Sequence, residues 1–315
     1  MQAIHVAGVP PSVGRTILAN IGWTAKSSAE PTKRVTENSS GSARLPDAGD
    51  GDAGDVDAGD GDGGGVVTGL VTGLAALALL GAGVLKQHAM TPPAVIFDVD
   101  GTLVDTNYLH TLAWARGFRD AGETVSMSAI HRLIGMGPDQ LVEELLDHES
   151  DEASDGHSAQ FEKLMPEIKP FPGAAELLEK VHERGAKVVL ASSASENELD
   201  AMIEAIEPAD GSIDHIVKKD DVEESKPAPD IFEAAISGAG LDPKASLVVG
   251  DTVWDIEAAK KCDLQMVAVL TGGISRQELE EAGAIAVYED VAQLLRELDD
   301  SPIGALLSQH GGDDG

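Results

Sequence analysis

The chain has 315 residues, with 22 lysines and arginines against 55 aspartates and glutamates, and a formal net charge of −33. Such an acidic surface repels nucleic acids and anionic lipid headgroups, so we expect no nucleic-acid partner. Acids occur throughout the chain and aromatic residues make up only 3% of it. This composition favours adaptation to high salt, which screens self-repulsion, over an ordinary acidic cytosolic protein. The single cysteine, Cys262, cannot form an intrachain disulfide, which favours a reducing cytoplasm.

The amino-terminal part contains two segments unlike the rest of the chain. Residues 1–64 lack sustained hydrophobic periodicity and include an Asp/Gly-rich run, which predicts a disordered extension. Residues 65–86 form a hydrophobic segment whose uncharged stretch, 66–85, is long enough for a transmembrane helix. The alternative is that the working protein begins at Met90, directly before the first predicted strand. Both alternatives place the rest of the chain in the cytoplasm, in the first case through a membrane anchor.

From residue 91 onward, apolar strand patterns alternate with helical patterns, which predicts an α/β fold with a parallel sheet. Strands are predicted at residues 94–98, 187–191, 215–217, 246–250, 265–270 and around 287. Helices are predicted at residues 173–184, 196–206, 229–239, 254–262 and 291–298. We therefore expect a doubly wound, Rossmann-like sheet with helices on both faces, built from residues 91–106 and 170–300. Residues 301–315 are expected to form a flexible tail.

Residues 107–169 interrupt the alternation because they carry only helical patterns. Predicted helices cover residues 107–121, 126–134, 138–148 and 159–165. An all-helical insert directly after the first strand is expected to form a small cap over a site at the end of that strand. Such a cap would close to exclude water and select the substrate.

The first predicted strand ends on two carboxylates, Asp98 and Asp100. Residues two apart on a strand point the same way, so both side chains can serve one site. Two carboxylates held that close repel each other unless a cation or a shared proton intervenes. The pair therefore predicts either a hard metal ion such as Mg²⁺ or a division of labour between a nucleophile and an acid/base.

Further polar residues follow other predicted strands. Ser192 and Ser193 follow the second strand, and Asp251 and Asp255 follow the fourth. Between these strands, Lys226 stands in a Ser-Lys-Pro-Ala-Pro-Asp turn whose prolines fix the backbone and open a helix. Carboxylates, a hydroxyl and one cation at neighbouring strand ends are the components of a metal-assisted phosphoryl-transfer site.

These motifs resemble those of the haloacid dehalogenase superfamily, in its phosphatase and β-phosphoglucomutase-like branch. The resemblance covers about residues 94–298 and rests on four motifs in order: Asp98–Thr102, Ser192, Lys226 and Gly250–Asp255. The dehalogenase branch lacks the second aspartate of the first motif, so Asp100 argues against dehalogenation. The resemblance implies an inserted helical cap, as the pattern at 107–169 also predicts.

The resemblance also implies roles for the motif residues. Asp98 would be the nucleophile that forms an aspartyl-phosphate, and Asp100 the acid and base that protonates the leaving oxygen and activates water. Mg²⁺ would be held by Asp98, the backbone carbonyl of Asp100 and Asp251, with Asp255 in support.

Residues outside the metal set would bind the substrate. Ser192 and Lys226 would hold the phosphoryl oxygens where charge builds up. Candidate substrate-binding residues are Thr102, whose neighbouring amides help fix the loop, Ser193, His110 and Trp114. The alternatives to substrate binding are core packing for Trp114 and an exposed helix position for His110.

The function predicted from these features is Mg²⁺-dependent hydrolysis of a small phosphomonoester, of the phosphoglycolate or sugar-phosphate type. One alternative is a phosphohexose mutase, which returns the enzyme-bound phosphoryl group to a sugar. The arginine that the mutase carries in its cap has no counterpart at residues 133–138, and this favours hydrolysis. A second alternative is a membrane-tethered protein that binds a phosphorylated ligand without turnover. The sequence indicates no oligomeric state.

Overall fold

A computed structural model describes residues 91–310 of the chain. The predicted disordered extension at 1–64, the hydrophobic segment at 65–86, the alternative start at Met90 and residues 311–315 lie outside the described residues. Between residues 91 and 310, no helix is both long enough and apolar enough to cross a membrane.

Six parallel strands form one sheet, as the sequence predicts. The strands are β1 (Ala94–Phe97), β2 (Lys187–Ala191), β3 (His215–Val217), β4 (Ser246–Gly250), β5 (Gln265–Val269) and β6 (Ala286–Tyr288). Their order across the sheet is β3-β2-β1-β4-β5-β6. Strand β1 therefore lies between β2 and β4, and all four of its residues are buried. In sheets of this kind, ligands bind at the carboxyl ends of the strands where the strand order reverses, here beside β1.

Helices cover both faces of the sheet, which confirms the doubly wound fold. Those that follow the strands are α5 (Ala174–Glu183), α6 (Glu196–Ile206), α7 (Asp230–Ala239), α8 (Val253–Lys261), α9 (Arg276–Ala282), α10 (Val291–Arg296) and α11 (Pro302–His310). Alternate residues of β1 enter separate apolar cores, with Val95 and Phe97 in one and Ala94 and Ile96 in the other. A strand buried on both faces explains the continuous apolar run in the sequence.

The helical insert between β1 and α5 has a small core of its own. It contains α1 (Asn107–Asp120), α2 (Met127–Leu133), α3 (Pro138–Leu146) and α4 (Asp151–Phe161). Its buried residues include Trp114, Phe118, Ile130, Leu141 and Val142. The first three helices match the sequence predictions to within one or two residues at each end.

The predicted position of the fourth insert helix, 159–165, is wrong. Helix α4 begins eight residues earlier, at Asp151, where the Ser150 side chain accepts a hydrogen bond from the Ala153 amide. Hydrophobic periodicity does not reveal this helix because its composition is polar and only Ala153, His157 and Phe161 are buried. This spacing of four residues forms a single narrow contact line along the helix.

Two further differences lie toward the carboxyl end. Helix α9 falls in a stretch for which the sequence analysis gives no helix, although Ser275 and Glu278 form a capping box at its start. Residues 302–310, assigned to a flexible tail, form α11 instead. Ile303, Leu306 and Leu307 are buried on one side of α11, which fixes this segment against the domain.

Candidate active site

The carboxyl ends of three adjacent strands bring the sequence-predicted polar residues together. Asp98 directly follows β1, and its amide still donates to the carbonyl oxygen of Val249 on β4 at 2.9 Å. Ser192 follows β2 and Asp251 follows β4. Asp98, Ser192 and Asp251 are all buried.

Three carboxylates and one ammonium group form the centre of this site. Asp98, Asp251 and Asp255 each place a carboxylate oxygen within 4.8 Å of the other two. The Lys226 ammonium lies 2.5 Å from Asp98 Oδ1 and 2.8 Å from Asp255 Oδ1. The Lys226 side chain is only 1% exposed, so its charge is fully committed to these carboxylates.

The electrostatics of the three-carboxylate cluster call for more positive charge than one lysine supplies. Burial raises the pKa of Asp98 to about 7, with the charges of Asp255 and Asp100 adding to the effect against the opposing pull of Lys226. Burial and the charges of Asp98 and Asp255 also hold the pKa of Asp251 well above its usual range. Burial opposes the charge of Lys226, but Asp255 and Asp98 raise its pKa nonetheless.

This cluster fits a hard divalent cation. All of its donors are carboxylate oxygens, the ligands that Mg²⁺ prefers, and a dication would offset the repulsion that raises the pKa values of Asp98 and Asp251. Gly272 allows its backbone to approach the Asp251 carboxylate closely, because a Cβ added there would lie 1.8 Å from Asp251 Oδ2.

Asp251 is oriented by two side chains from the segment that follows β1. Asn107 Nδ2 donates to Asp251 Oδ2 at 2.8 Å, and Thr102 Oγ1 lies 3.0 Å from Asp251 Oδ1 and 3.1 Å from Asp98 Oδ2. Gly101 makes this close approach possible, since it has a φ of +69° and a Cβ there would lie 2.4 Å from atoms of both Asn107 and Asp251. The sequence analysis did not identify Asn107, which reaches the site from the first turn of α1.

The second aspartate of the motif faces a different set of partners. Asp100 Oδ1 accepts from Thr106 Oγ1 at 2.7 Å and lies 2.9 Å from His110 Nε2, while its Oδ2 accepts from Ser192 Oγ at 3.3 Å. Burial alone would raise the pKa of Asp100, but the charge and hydrogen bond of His110, with Thr106 and Lys226, lower it. The Asp100 carboxylate is therefore separate from the three-carboxylate cluster.

His110 is buried, contrary to the interpretation of it as an exposed helix residue. Its ring stacks on Phe161 with the ring centres 3.8 Å apart, and its Nδ1 lies 3.1 Å from His157 Nε2. Burial opposes protonation of His110, but Asp100 and Glu198 raise its pKa. Burial and the charges of His110 and Lys219 hold the pKa of His157 well below its usual range.

Trp114 packs in the insert core and also reaches the site. Its ring stacks on His157 with centres 4.2 Å apart. The sequence analysis did not identify His157, because the predicted fourth helix began beyond it. The spacing of Ala153, His157 and Phe161, four residues apart in the sequence, is a signal that could have indicated this cluster.

A cavity of about 60 Å³ lies between the strand ends and the insert, with room for a few water-sized groups. The predicted residues Asp98, Asp100, Lys226, Ser193, His110 and Trp114 line it. Thr102 and Ser192 are fully buried and do not line it; they contact the carboxylates from behind. Glu198, at the start of α6, also lines the cavity and was not predicted.

The insert closes over the cavity through direct contacts with the core. The Gly137 amide donates to the carbonyl oxygen of Lys226 at 3.0 Å, and Gln140 Nε2 donates to that of Ser225 at 3.1 Å. Farther out, Arg132 on α2 and Glu278 on α9 form an ion pair at 2.6 Å. These contacts join the loop before α3 to the turn that carries the site lysine.

A family profile matches the part of the chain that contains this site. The profile described as "Haloacid dehalogenase-like hydrolase" matches residues 95–269, which include all four sequence motifs.

Individual relatives agree with this match. The phosphoglycolate phosphatase of Rhodospirillum rubrum is 30% identical over 222 residues, covering 64% of this chain and 89% of the relative. The chloroplast protein SUPPRESSOR OF QUENCHING 1 of Arabidopsis thaliana is 30% identical over 210 residues, but the matched region spans only 20% of that protein. The crystal structure of a hydrolase from Pseudomonas syringae superimposes with a TM-score of 0.62 at 36% identity, covering 66% of this chain and 98% of that one.

Proposed function

The chain belongs to the haloacid dehalogenase-like hydrolase family, and we propose that it is a Mg²⁺-dependent phosphatase that hydrolyses a small phosphomonoester through an aspartyl-phosphate. One observation carries the proposal: Asp98 and Asp100 line the same cavity, but Asp98 is paired with Lys226 in the three-carboxylate cluster whereas Asp100 contacts His110. A pair of carboxylates with divergent environments is suited to two different chemical roles. The relative named phosphoglycolate phosphatase supports a phosphoric monoester as the substrate.

Asp98 acts as the nucleophile. Its Oδ1 is paired with Lys226 and its Oδ2 lies 3.1 Å from Thr102 Oγ1, so the carboxylate is held in one orientation at the cavity floor. Attack of a carboxylate oxygen on phosphorus forms the aspartyl-phosphate and releases the substrate alkoxide. Lys226, next to Asp98, supports the negative charge that accumulates on the phosphoryl oxygens. Ser192 and Ser193 lie on the adjacent loop, and Ser193 Oγ has no protein partner within residues 91–310.

Asp100 passes a proton from His110 to the leaving oxygen, and it later accepts one from the attacking water and returns it to His110. His110 keeps a proton 2.9 Å from Asp100 Oδ1, because its pKa is raised. Thr106 and Ser192 fix the rotation of the Asp100 carboxyl group. This carboxyl group can therefore exchange a proton with the substrate without moving.

Mg²⁺ would be held by Asp98, Asp251 and Asp255, with the backbone carbonyl of Asp100 as a further ligand. When bound, it supplies positive charge that offsets the carboxylates and polarises the phosphoryl group. Thr102 and Asn107 hold Asp251 in place for this purpose. The helical insert acts as the cap, excluding water from the cavity during the first step. We propose that the enzyme works in the cytoplasm. Its adaptation to high salt, predicted from the acid-rich composition, stays a prediction.

The experiment that tests this function compares Asp98→Asn with Asp105→Asn. Asp105 is an exposed residue on the same loop, so its substitution matches the change in charge without touching the cavity. Phosphate release with Mg²⁺ from glycolate, glycerol and sugar phosphates should be abolished in Asp98→Asn and retained in Asp105→Asn. Substantial phosphate release by a folded Asp98→Asn protein would refute the assignment.

The same assay discriminates the two alternatives. With β-glucose 1-phosphate, formation of glucose 6-phosphate in place of free phosphate would identify a mutase. Tight Mg²⁺-dependent binding of a phosphorylated ligand without any turnover would identify a binding protein. We expect free phosphate, because the arginine that the mutase carries in its cap has no counterpart at residues 133–138.

A further inference from the structure

The cavity beside Asp98 contains a second acid that the proposed chemistry does not use. Glu198 lies in the first turn of α6 and is only 8% exposed. Its Oε2 accepts hydrogen bonds from the Ser195 amide at 2.9 Å and the Ser195 hydroxyl at 2.8 Å. Among residues 91–310, no hydrogen bond engages Oε1 of this residue.

The cationic groups that line the cavity are already paired with aspartates at the end where the phosphoryl group would bind. Lys226 is paired with Asp98 and Asp255, and the ring of His110 contacts Asp100. His157 faces the cavity from α4, and its lowered pKa leaves it neutral. The rest of the lining near the insert is mainly apolar: Trp114, Ile134, Met136, Pro138 and Leu141. His110 is near enough for Glu198 to raise its pKa, but its Nε2 already contacts Asp100, and Glu198 forms no ion pair within the described residues.

We propose that the leaving group of the substrate carries no negative charge and donates a hydrogen bond, from a hydroxyl or an amine, to Glu198. This inference rests on the proposed phosphatase function, because it concerns the group attached to the transferred phosphoryl. Ser193, whose buried hydroxyl has no partner in residues 91–310, provides a second polar contact on the same side of the cavity.

A carboxylate or a second phosphate on the leaving group would lie close to Glu198 in this small cavity. Like charges a few ångströms apart in a partly buried site repel strongly, and the cations that line this cavity are already paired with Asp98, Asp100 and Asp255. The cavity volume of about 60 Å³ leaves little room for water to screen the two groups. Phosphoglycolate, the compound in the name of the Rhodospirillum rubrum relative, ends in such a carboxylate.

Three phosphomonoesters of similar size test the proposal on the intact protein. Phosphoglycolate, 2-hydroxyethyl phosphate and phosphoethanolamine differ at the end of a two-carbon leaving group, which is respectively anionic, neutral and cationic. We expect kcat/KM for the neutral and cationic esters to exceed that for phosphoglycolate by about 10- to 100-fold, as for a buried charge left unpaired. Equal or better turnover of phosphoglycolate would overturn the proposal.

Two variants separate the local contact from the overall charge of the protein. Glu198→Gln removes the charge but keeps an oxygen that can accept from Ser195, so the capping of α6 is retained. Glu196→Gln makes the same change in net charge on an exposed neighbour that pairs with Lys218 outside the cavity. The preference against phosphoglycolate should shrink at least about fivefold in Glu198→Gln and stay unchanged in Glu196→Gln.

The outcomes distinguish this inference from the proposed function. Absence of turnover for all three esters and for the wider substrate panel would refute the phosphatase assignment itself. Turnover with a preference for phosphoglycolate, or an equal shift in both variants, would leave the phosphatase standing and overturn the role of Glu198. Thermal melting of each variant establishes whether it is folded. If a variant does not fold, the ratio of kcat/KM between the neutral ester and phosphoglycolate in the wild-type protein still tests the proposal.

Discussion

Replacing Lys226 with methionine should destabilise the protein, and more so at alkaline than at acidic pH. The substitution keeps the apolar stem and removes an ammonium group that lies 2.5 Å from Asp98 and 2.8 Å from Asp255. The side chain is 1% exposed, so solvent cannot replace the lost partner. Removal of one member of a buried ion pair costs about 3–5 kcal/mol, and here two carboxylates lose their cation.

The pH dependence follows from the raised pKa of Asp98. The pKa is about 7 in the folded protein against an ordinary value of 3.8, so folding favours the protonated acid. Such a group contributes stability that is fully present below the unfolded pKa and is lost as pH rises through the folded pKa. Without the ammonium group the folded pKa rises further. The cost of the substitution should therefore grow between about pH 5 and pH 8.

Urea denaturation with a chelator present measures this cost directly. Lys226→Met should lower the free energy of unfolding by about 3–5 kcal/mol at pH 8 and by clearly less at pH 5. The midpoint of thermal unfolding should fall by about 6–20 °C for a domain of this size. Lys218→Met, which removes a partly exposed lysine paired with the exposed Glu196, is the matched control and should lose much less stability than Lys226→Met. A cost below about 1 kcal/mol, or one independent of pH, would refute the reasoning.

Two other predictions concern the insert and the metal. In Gly117→Ala the new Cβ would lie 2.6 Å from the backbone nitrogen of His157, so we expect a loss of about 1–3 kcal/mol and a lower kcat as α4 shifts from α1. Gly122→Ala at the open end of α1, where φ is +84°, should cost about 1–2 kcal/mol in melting experiments without lowering kcat, and equal kinetic defects would contradict this. Mg²⁺ affinity measured by calorimetry should rise about tenfold from pH 6 to pH 8, because the metal competes with the proton on Asp98; a flat profile would contradict the raised pKa.

The sheet and the centre of the site are predictable from the sequence because local rules determine them. Asp98, Ser192 and Asp251 each follow an apolar strand, and parallel strands place their carboxyl ends at one edge. The lysine turn is recognisable from its prolines. These features need no knowledge of how distant segments pack.

The residues that the sequence analysis missed depend on tertiary packing of the insert. Asn107 contacts Asp251 across 144 residues of sequence, and His157 meets His110 across 47. The sequence indicates only a capping role for Glu198, because the spacing from Ser195 is typical of a capping box. Its position beside the cavity depends on tertiary structure. Helix α4 carries little apolar signal, so neither its start nor the inward direction of His157 follows from periodicity.

Trapping of the covalent intermediate would show whether Asp98 is the nucleophile. A substrate turned over by the wild-type enzyme with Mg²⁺ should be quenched in acid within the first turnover, and the peptides analysed by mass spectrometry. We expect a phosphoryl group on the peptide that contains Asp98, absent from the Asp98→Asn protein and present in Asp105→Asn. Rapid turnover with phosphate on a different residue, or with full activity in Asp98→Asn, would contradict it.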